Sequence, residues 1–545
     1  MSEIEGACVV RFLPNGIAVT VPVGMTIADA AERAGVSIPH SCGGKGTCGK
    51  CRVRVTEMSN ISPPSDTEKK ALSSADMSAG IRLACCAAVQ GDCGVFVECS
   101  AGNQHTKILH NIESRDITVW DEGVDGYGVA VDIGTTTVVC CLLDFRNRRV
   151  LDTEAFLNPQ IKYGDDVVSR ISCCCDDTGL AKLHGIIVDA IDKAALEVSK
   201  RNNVRPCNIK MITIAANTVM QHILMGVSPK SIGVAPYEPA YYSHKPVSAS
   251  SLGFVNVSSA AVCPLPNAAG YVGSDIVAGV EAVRLYGDGA RRLMVDIGTN
   301  NEIAVSTERG MFCCAAAAGP ALEGARIRYG MRAEDGAIDH VWMSEDGLSI
   351  STIGSKPAMG ICGSGLVDAV AVLLNAGIIK NSGKIISREA CCDERLVWRI
   401  VKDDRGRPAV LLAEAGNMLC ITQKDVREFQ LAAAAIRAGI EVMLERGEVC
   451  ACELESVILA GAFGNYINVE NAIRVGLLPD VSRNIVCSVG NSSGLGACMA
   501  LASQVFRARC DECAKMMRYV ELSMLDDFQE RFVRSMTFKS GSCAS

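Results

Sequence analysis

The chain has 545 residues, of which 49% are hydrophobic and 21% charged, a balance typical of folded proteins that excludes disorder as its main feature. Asp and Glu number 61 against 53 Lys and Arg, so the net charge at pH 7 is -8. A protein that binds a nucleic-acid backbone normally has the opposite sign, so we expect no nucleic-acid partner. The length is sufficient for about three or four domains.

The N-terminal sequence and the many cysteines predict a location in the cytoplasm. The acidic N-terminus lacks the apolar run of a signal peptide, and the uncharged stretch 246–274 is rich in Ser, Gly and Pro, which indicates loops and no membrane span. The chain contains 28 cysteines, some in adjacent runs such as 173–175, and this favours a reducing cytoplasm and suits an anaerobe. Only seven His are present, so thiolate is the expected ligand of a bound metal.

The first hundred residues have the pattern of a small α+β domain. Strand-like runs flank Pro14-Asn15-Gly16, which predicts a β-hairpin. Thr26 is placed to cap a helix over 27–34, and further strands are predicted at 51–55 and near 95–99.

Two later segments share one design, strand, turn and strand around Asp-x-Gly-Thr. Asp296 follows Asp132 by 164 positions, which indicates a duplication on the scale of a domain. Further strand–loop–helix joints lie at 359–365 before a helix over 366–375, at 460–465, and at 489–496 before a helix over 497–503. The predicted division is a domain over 1–100, a linker over 101–125, a first α/β lobe over 126–288 and a second over 289–545.

A cysteine cluster in the N-terminal domain predicts an iron–sulfur site. Cys42, Cys48 and Cys51 have C-x5-C-x2-C spacing, and a further thiol follows at Cys85 or Cys86. A [2Fe–2S] cluster needs four thiolates, which three cysteines on one tight loop and one on a distant strand would supply. The glycines of the loop allow it to bend around the cluster.

Other interpretations of these residues are weaker. A structural zinc site usually has two CxxC or Cys/His pairs, and the only other CxxC here, Cys510–Cys513, is far away in the chain. The loop also matches G-x-G-x-x-G at 44–49, but a dinucleotide site would need a βαβ unit around it. We expect the remaining cysteines to be small buried hydrophobic residues.

The two Asp-x-Gly-Thr turns predict a nucleotide site in a chain that has no P-loop motif. An Asp at the end of a strand can hold hydrated Mg²⁺, and Thr hydroxyls and N–H groups can donate to phosphate. A single turn of this kind is ordinary hairpin chemistry, whereas two equivalent turns would face each other across a cleft. The candidate residues are Asp132, Gly134, Thr135 and Thr136 in the first turn, and Asp296, Gly298, Thr299 and Asn300 in the second.

This arrangement resembles the superfamily of actin, Hsp70 and sugar kinases. Residues 132–136 match its first phosphate loop and 296–299 its second. The joint with Gly461 and Gly464 matches its adenosine loop, and Gly273-Ser274-Asp275 lies where a connecting helix would start.

The combination of both halves resembles the ATP-dependent reductive activators of corrinoid proteins, over nearly the whole chain. The chain departs from that family's usual pattern at Asn301, where Gly is usual, at Ala433, where Lys is frequent, and in the cysteine doublet 85–86. The motifs that carry the likeness are Arg82-Leu83-Ala84-Cys85, Asn158-Pro159-Gln160 with 163–167, 217–222, 318–324, Gly330-Met331-Arg332-Ala333, 360–365, 421–425 and 519–523.

The resemblance implies an α/β protein, with a β-grasp [2Fe–2S] ferredoxin-like domain followed by two RNase H-like lobes of the actin/Hsp70 type. It favours Cys85 as the fourth cluster ligand and assigns Asp132 and Asp296 to Mg²⁺ and phosphate. The implied activity is ATP-dependent one-electron reduction of inactive Co(II) corrinoid protein to Co(I), which reactivates a methyltransferase system. The cofactors would be the [2Fe–2S] cluster, ATP and Mg²⁺.

The implied partners are a corrinoid protein and a reduced electron donor, either a ferredoxin or a reductase. Many activators of this kind are dimers, and a homodimer is part of the expectation. Neither a membrane nor a nucleic acid is expected.

Three other functions stay open from the sequence. One is an activator of a radical dehydratase, although such proteins usually carry a [4Fe–4S] cluster between subunits. Another is a sugar or acid kinase with the cluster as a redox sensor. The third is a protein that binds a corrinoid protein without reducing it.

Overall fold

The computed structural model describes residues 7–13, 16–36, 38, 46, 51–72, 74–97, 112–123, 125–164, 166–415, 417–461 and 466–539. They divide into two compact units, the first made of the described residues before 98 together with 160–164, and the second of 112–159 and 166–539.

Among the described residues of the first unit, five strands and three α-helices follow in the order β1 (Ala7–Leu13), β2 (Ile17–Pro22), α1 (Ile27–Arg33), β3 (Arg52–Val55), α2 (Asp66–Ala71), α3 (Ser74–Ser78), β4 (Ile81–Leu83) and β5 (Cys93–Val97). Its sheet has the order β2-β1-β5-β3-β4, in which β1 and β5 run parallel and the other pairs antiparallel. The predicted hairpin and the predicted helix are both confirmed. The helix begins after Thr26, whose side chain accepts a hydrogen bond from Asp29 N, and it buries Ile27, Ala30 and Ala31 against the sheet.

The first sheet of the second unit is built on the first predicted hairpin. Strand β6 pairs with β7 antiparallel and with β9 parallel, in the sheet order β10-β11-β9-β6-β7-β8. The elements are β6 (Tyr127–Ile133), β7 (Thr137–Asp144), β8 (Arg149–Leu157), α4 (Val167–Cys173), α5 (Asp177–Arg201), β9 (Ile209–Ala216), α6 (Thr218–Leu224), β10 (Val247–Ser248), β11 (Ala261–Pro264) and α7 (Ser274–Ala282).

The second sheet of this unit repeats the arrangement in the order β22-β21-β12-β13-β14-β23. Here β12 pairs with β13 antiparallel and with β21 parallel, as β6 does with β7 and β9. The repeated topology agrees with the duplication predicted from the sequence. The strands are β12 (Arg292–Asp296), β13 (Glu302–Thr307), β14 (Gly310–Ala315), β21 (Ser456–Ala460), β22 (Val486–Gly490) and β23 (Met517–Tyr519).

The remaining described elements of the second unit include two small three-stranded sheets. The strands are β15 (Ala337–Ser344), β16 (Gly347–Thr352), β17 (Gly360–Ile361), β18 (Ile400–Lys402), β19 (Pro408–Ala415) and β20 (Asn417–Thr422). The helices are α8 (Gly363–Asn375), α9 (Glu394–Val397), α10 (Gln423–Arg446), α11 (Val469–Val475), α12 (Ser492–Ala502), α13 (Gln504–Met516) and α14 (Phe528–Ser535).

Helices α7 and α12 pack closely between the two sheets. A Cβ atom on Gly496 would lie 2.4 Å from the carbonyl oxygen of Ala278, and one on Gly279 would lie 2.7 Å from Ser492 Oγ. Thr213 Oγ1 of β9 also donates a hydrogen bond to the carbonyl of Ala497 in α12 (2.8 Å). The α12 helix is therefore fixed against both α7 and the first sheet.

Some predicted boundaries shift. The helix predicted at 497–503 begins at Ser492, because Asn491 caps it by accepting a hydrogen bond from Gly494 N. The helix predicted at 366–375 begins at Gly363. Within the predicted linker, Ile112 and Ile117 are buried in the core of the second unit. Among the helices of the described residues, none is both long enough and apolar enough to cross a lipid bilayer.

Candidate functional site

Two of the predicted cluster ligands lie side by side in the first unit. Cys51 immediately precedes β3, and Cys85 follows the neighbouring strand β4 by two residues. Their sulfur atoms are 3.2 Å apart, and the backbone N–H of Ala84 donates to the carbonyl of Cys51 (2.8 Å). Cys51 is fully buried and Cys85 half-buried, so the pair lies at the edge of the core.

Cys86 has different surroundings. Its sulfur is 3.7 Å from that of Cys85, and a Cβ atom on Gly46 would lie 2.6 Å from it. Gly46 has φ +72°, a backbone conformation that glycine adopts at little cost. Burial raises the pKa of the Cys86 thiol. The predicted ligands Cys42 and Cys48 lie outside the described residues.

A buried ion pair supports the strand that leads to Cys85. The guanidinium of Arg82 donates from Nε and Nη2 to the two carboxylate oxygens of Glu68 (2.9 and 2.8 Å), and from Nη1 to the carbonyl of Ser62 (2.8 Å). Glu68 also accepts from the backbone N–H of Leu83 (3.1 Å). This bidentate pair therefore fixes the direction in which the chain leaves β4.

The second unit contains a cleft of about 300 Å³ between its two large sheets. The turns after β6 and β12 line it from opposite sides, so the expectation that two equivalent turns face one cleft is met by the geometry. Its lining includes the predicted residues Asp132, Gly134, Thr135, Thr136, Asp296, Gly298, Thr299, Asn300 and Gly461. The predicted residue Gly464 lies outside the described part of the chain.

The two threonine turns meet in the middle of this cleft. The hydroxyl oxygens of Thr136 and Thr299 are 3.2 Å apart. Each hydroxyl donates to one oxygen of the Glu323 carboxylate, Thr136 Oγ1 to Oε2 (2.9 Å) and Thr299 Oγ1 to Oε1 (2.6 Å). A single carboxylate thus joins the Asp-x-Gly-Thr turns of both lobes.

Asp132, at the end of β6, is held by the start of α12. Asn491 Nδ2 donates to Asp132 Oδ2 (2.8 Å) and Ser493 Oγ to Oδ1 (2.7 Å). Burial raises the pKa of Asp132, although these two hydrogen bonds act in the opposite direction. The turn that follows is held by the buried guanidinium of Arg170, which donates to the carbonyl of Thr135.

Three further carboxylates lie near Asp132. Burial and the Asp132 carboxylate raise the pKa of Asp296 to about 7. Burial, together with Asp132 and Asp296, raises the pKa of Asp275 to about 8. Burial and the charges of Asp275 and Asp296 also raise the pKa of Glu302 well above its ordinary value. Four acidic groups therefore oppose one another's ionisation.

The unpartnered polar atoms around these carboxylates fit a ligand that combines positive charge with hydrogen-bond acceptors. Glu302 Oε1, Thr135 Oγ1 and Asn217 Nδ2 are buried without a hydrogen-bond partner among the described residues. Within the described part of the chain, no three His, Cys, Asp or Glu side chains converge to hold a metal ion directly. Mg²⁺ keeps most of its water shell and needs only one or two carboxylates, so this arrangement fits hydrated Mg²⁺ better than a closely ligated metal.

Arg332 is the only Lys or Arg among the described residues that line the cleft. Its turn is fixed by two backbone hydrogen bonds, from Met331 N to the carbonyl of Ile361 and from Glu334 N to the carbonyl of Arg332. Across the described ranges, the guanidinium forms no ion pair with the cleft carboxylates. It is therefore available to a negatively charged ligand.

Two features of the second turn explain its sequence. Asn301 has φ +57°, and Asn is among the residues that tolerate this conformation best. Gly461 lies against the turn, because a Cβ atom there would be 2.6 Å from the carbonyl of Ile297 and 2.7 Å from Asp296 Oδ1.

Several residues of the cleft were not predicted as site residues. Asn491 and Ser493 reach Asp132 from a joint predicted only as the entry to a helix. Glu302 was missed although it begins β13, the strand opposite Asp296 in the duplicated hairpin. Glu323 and Arg332 belong to motifs that carry the family resemblance but had no assigned role.

Family models match three successive parts of the chain. The family model for the "C-terminal domain of RACo the ASKHA domain" matches residues 290–544, that for the "RACo middle region" matches 127–288, and that for the "2Fe-2S iron-sulfur cluster binding domain" matches 10–90.

Individual relatives agree with these models. Corrinoid activation enzyme RamQ of Eubacterium limosum is 34% identical over 76% of this chain and 70% of its own length. The [Co(II) methylated amine-specific corrinoid protein] reductase of Methanosarcina barkeri is 23% identical over 72% of this chain and 73% of its own. The solved structure of a reductive activator for corrinoid, iron-sulfur protein superposes with a TM-score of 0.69 and 30% identity over 97% of this chain and 98% of that one.

The matches agree with an α/β protein that joins a 2Fe–2S domain to an ASKHA domain, as the sequence predicted. The chain belongs to the family of reductive activators of corrinoid proteins.

Proposed function

We propose that this chain uses ATP to drive the one-electron reduction of a Co(II) corrinoid protein to Co(I), and so reactivates a corrinoid-dependent methyltransferase system. The observation that carries the proposal is the presence in one chain of paired thiols for a cluster and a two-lobed cleft with duplicated phosphate turns. The names of its relatives supply the substrate class. The sequence alternatives of a kinase or a radical-dehydratase activator have no such support.

The reduction needs ATP because Co(I) is difficult to reach from ordinary cellular donors. Each 59 mV of uphill one-electron transfer costs about 1.4 kcal/mol. Nucleotide can offset this cost only through a difference in its affinity for two states of the protein. The cleft supports this role because both lobes contribute to it, so a bound phosphate chain would change how Thr136 and Thr299 contact each other.

We propose Cys42, Cys48, Cys51 and Cys85 as the thiolates that hold a [2Fe–2S] cluster. Such a cluster, when bound, carries one electron at a time. The short separation of the Cys51 and Cys85 sulfurs supports Cys85 over Cys86 as the fourth ligand. The buried Arg82–Glu68 pair would keep Cys85 in place while the cluster is inserted.

We propose that Asp132 and Asp296 hold Mg²⁺ through its water shell, and that Thr135, Thr136, Thr299 and Asn300 donate to phosphate. Gly134 and Gly298 keep the turns short, and Gly461 with Gly464 would pass beside the adenosine. Arg332 is the cation that would neutralise phosphate charge that Mg²⁺ leaves uncompensated.

The remaining parts of the proposal rest on the sequence. The electron donor would be a reduced ferredoxin or a reductase, and the protein would act in the cytoplasm, as a homodimer. The functional division would be 1–100 for the cluster domain, 101–125 for the linker, 126–288 for the middle domain and 289–545 for the ATPase domain.

The test is anaerobic reduction of a Co(II) corrinoid protein by the reconstituted full chain, followed through Co(I) absorbance with and without Mg·ATP. We expect Co(I) only when reductant and Mg·ATP are both present. Asp296→Asn should abolish this dependence while iron content stays unchanged. ATP hydrolysis without Co(I) formation on several corrinoid proteins would contradict the proposal and favour a kinase or a sensor.

The neighbouring cysteines provide a matched pair for the cluster. Cys85→Ser should lose most of the bound iron and the visible absorption of the cluster, and with them Co(I) formation. Cys86→Ser should retain both. The reverse result would assign the fourth ligand to Cys86 and leave the rest of the proposal unaffected.

A further inference from the structure

Glu323 occupies the place where the two phosphate turns come together. Its carboxylate accepts one hydrogen bond from the Thr136 hydroxyl and one from the Thr299 hydroxyl, and these two oxygens are only 3.2 Å apart. Thr136 belongs to the first lobe, whereas Thr299 and Glu323 belong to the second. The contact is therefore made between lobes as well as within one.

The backbone holds Glu323 firmly at this position. Its two predecessors, Ala321 and Leu322, are buried at 2% and 3% exposure in the core of the second lobe. Pro320–Glu323 forms a short 3-10 turn, closed by a hydrogen bond from Gly324 N to the carbonyl of Ala321 (3.1 Å). Because this backbone is fixed, the fold itself directs the Glu323 side chain into the cleft.

Phosphate and Glu323 would need the same donors. A threonine hydroxyl has one proton to donate, so Thr136 and Thr299 can serve either a carboxylate oxygen or a phosphate oxygen. The two acceptors are both anionic, and at hydrogen-bond distance from the same hydroxyls they would repel each other. The described residues place no ion-pair partner on Glu323 that would cancel its charge.

We propose that Glu323 determines nucleotide specificity by competing with the terminal phosphate of ATP for the hydroxyls of Thr136 and Thr299. This inference rests on the proposed function, since it requires the nucleotide to bind in this cleft. A triphosphate long enough to reach both hydroxyls must displace the carboxylate, whereas a diphosphate leaves it in place. Exchange of Glu323 for phosphate is then the event that separates the ATP-bound state from the ADP-bound and nucleotide-free states.

A simpler role for Glu323 would be to hold the lobes together irrespective of nucleotide. In that case its removal would loosen the cleft and weaken both nucleotides to a similar degree. Competition makes the opposite prediction, because removing the competitor strengthens the binding of the triphosphate alone.

The experiment compares Glu323→Gln with wild type in the full chain, using calorimetric titration with Mg²⁺ and either AMPPNP or ADP. Gln keeps the size of the side chain but loses the charge and one acceptor. We expect the Kd for AMPPNP to fall about tenfold, equivalent to about 1.4 kcal/mol, and the Kd for ADP to change less than about twofold. The control is Glu334→Gln, because Glu334 lies in the nearby turn of Arg332 and has no hydrogen bond to a threonine among the described residues. This variant should change neither Kd.

Repeating the comparison in a protein that lacks the two threonine hydroxyls separates competition from general damage to the fold. In a Thr136→Val, Thr299→Val protein the shared donors are absent and only the charge repulsion remains, so Glu323→Gln should strengthen AMPPNP binding clearly less than it does in the wild-type background. Equal changes for AMPPNP and ADP, or weaker AMPPNP binding by Glu323→Gln, would overturn the competition while leaving the nucleotide site intact. Failure of the wild type to bind either nucleotide, or full binding by Asp296→Asn, would instead overturn the proposed site and this inference with it.

Discussion

Burial has opposite outcomes for Glu68 in the first unit and for the carboxylates in the cleft of the second unit. In the first unit Glu68 is fully buried, and burial raises its pKa, but the hydrogen bonds from Arg82 and two backbone groups outweigh this effect and the pKa lies below the ordinary value. In the cleft of the second unit, the pKa values of Asp132, Asp275 and Asp296 are all raised.

The difference shows in which region the protein itself compensates the charge of its buried carboxylates. Arg82 supplies the charge that Glu68 needs, so this part of the fold is satisfied before any cofactor binds. The cleft carboxylates face one another, and the described residues supply no cation that pairs with them. Without a ligand, bound protons offset part of this negative charge, since the pKa values of Asp275 and Asp296 are raised to about 8 and about 7. A nucleotide bound with Mg²⁺ would bring the positive charge that stabilises the ionised carboxylates.

The largest expected effect on stability comes from breaking the ion pair between Arg82 and Glu68. Glu68→Gln leaves the Arg82 guanidinium buried without a counter-charge, and we expect the first unit to lose about 3–5 kcal/mol of unfolding free energy. Urea unfolding followed by hydrogen exchange in peptides from β3 and β4 measures this. Asp66→Asn in the same helix, where the side chain is 91% exposed, should change stability by less than about 0.5 kcal/mol. Equal losses in the two variants would contradict the role of the pair.

Removing a cleft carboxylate should increase the unfolding free energy, whereas loss of the Arg82–Glu68 pair decreases it. Asp296→Asn relieves both the burial of a charge and the repulsion from Asp132, and we expect a gain of about 2 kcal/mol in the nucleotide-free protein at pH 7.5. Hydrogen exchange in peptides from β6 and β12 reports this gain. Asp346→Asn, on the exposed β15–β16 turn, is the control. A destabilised Asp296→Asn protein would show that the cleft already contains its own compensation.

The gain should also depend on pH. Because the folded pKa of Asp296 is about 7 and the ordinary value is 3.8, the folded protein binds more protons than the unfolded chain between about pH 4 and 7. Stability contributed by this group therefore falls as pH rises through that window. We expect the advantage of Asp296→Asn to shrink from about 2 kcal/mol at pH 7.5 to below about 1 kcal/mol at pH 5. An advantage that is constant with pH would assign it to packing.

The smallest effect concerns Asp132, whose carboxylate accepts hydrogen bonds from Asn491 and Ser493. Ser493→Ala removes a hydrogen bond to Asp132, and we expect a loss of about 1 kcal/mol from the second unit. Its neighbour Ser492 is a close control, because Ser492 Oγ is buried without a partner in the described structure. Ser492→Ala should therefore be neutral or slightly stabilising, and the same exchange measurement in β6 distinguishes the two.

Local patterns in the sequence were sufficient for the architecture. Thr26, the two Asp-x-Gly-Thr turns and the cysteine spacing each act through residues a few positions apart, so their consequences can be predicted without knowledge of the tertiary structure. The duplicated turns even predicted that one cleft would receive residues from two lobes, since equivalent hairpins occupy equivalent places in related sheets.

Contacts over long sequence distances could not be predicted in this way. Asn491 and Ser493 contact Asp132 across about 360 positions, and only the packing of α12 brings them there. Glu323 reaches Thr136 across 187 positions. The Arg82–Glu68 pair is nearer in the chain, but no periodicity marks two charged residues that are both buried.

The close crossing of α7 and α12 has a consequence for how this sequence can vary. Asp275 lies in the first turn of one helix and Asn491 caps the other, so a methyl group at Gly279 or Gly496 would shift both sides of the cleft at once. We therefore expect Ala to be poorly tolerated at Gly496, where it would meet backbone, and less costly at Gly279, where it would meet a serine side chain, although neither glycine lines the cleft. Anyone grafting this pair of lobes onto a different electron carrier would have to preserve the crossing first, and only then choose the residues of the cleft.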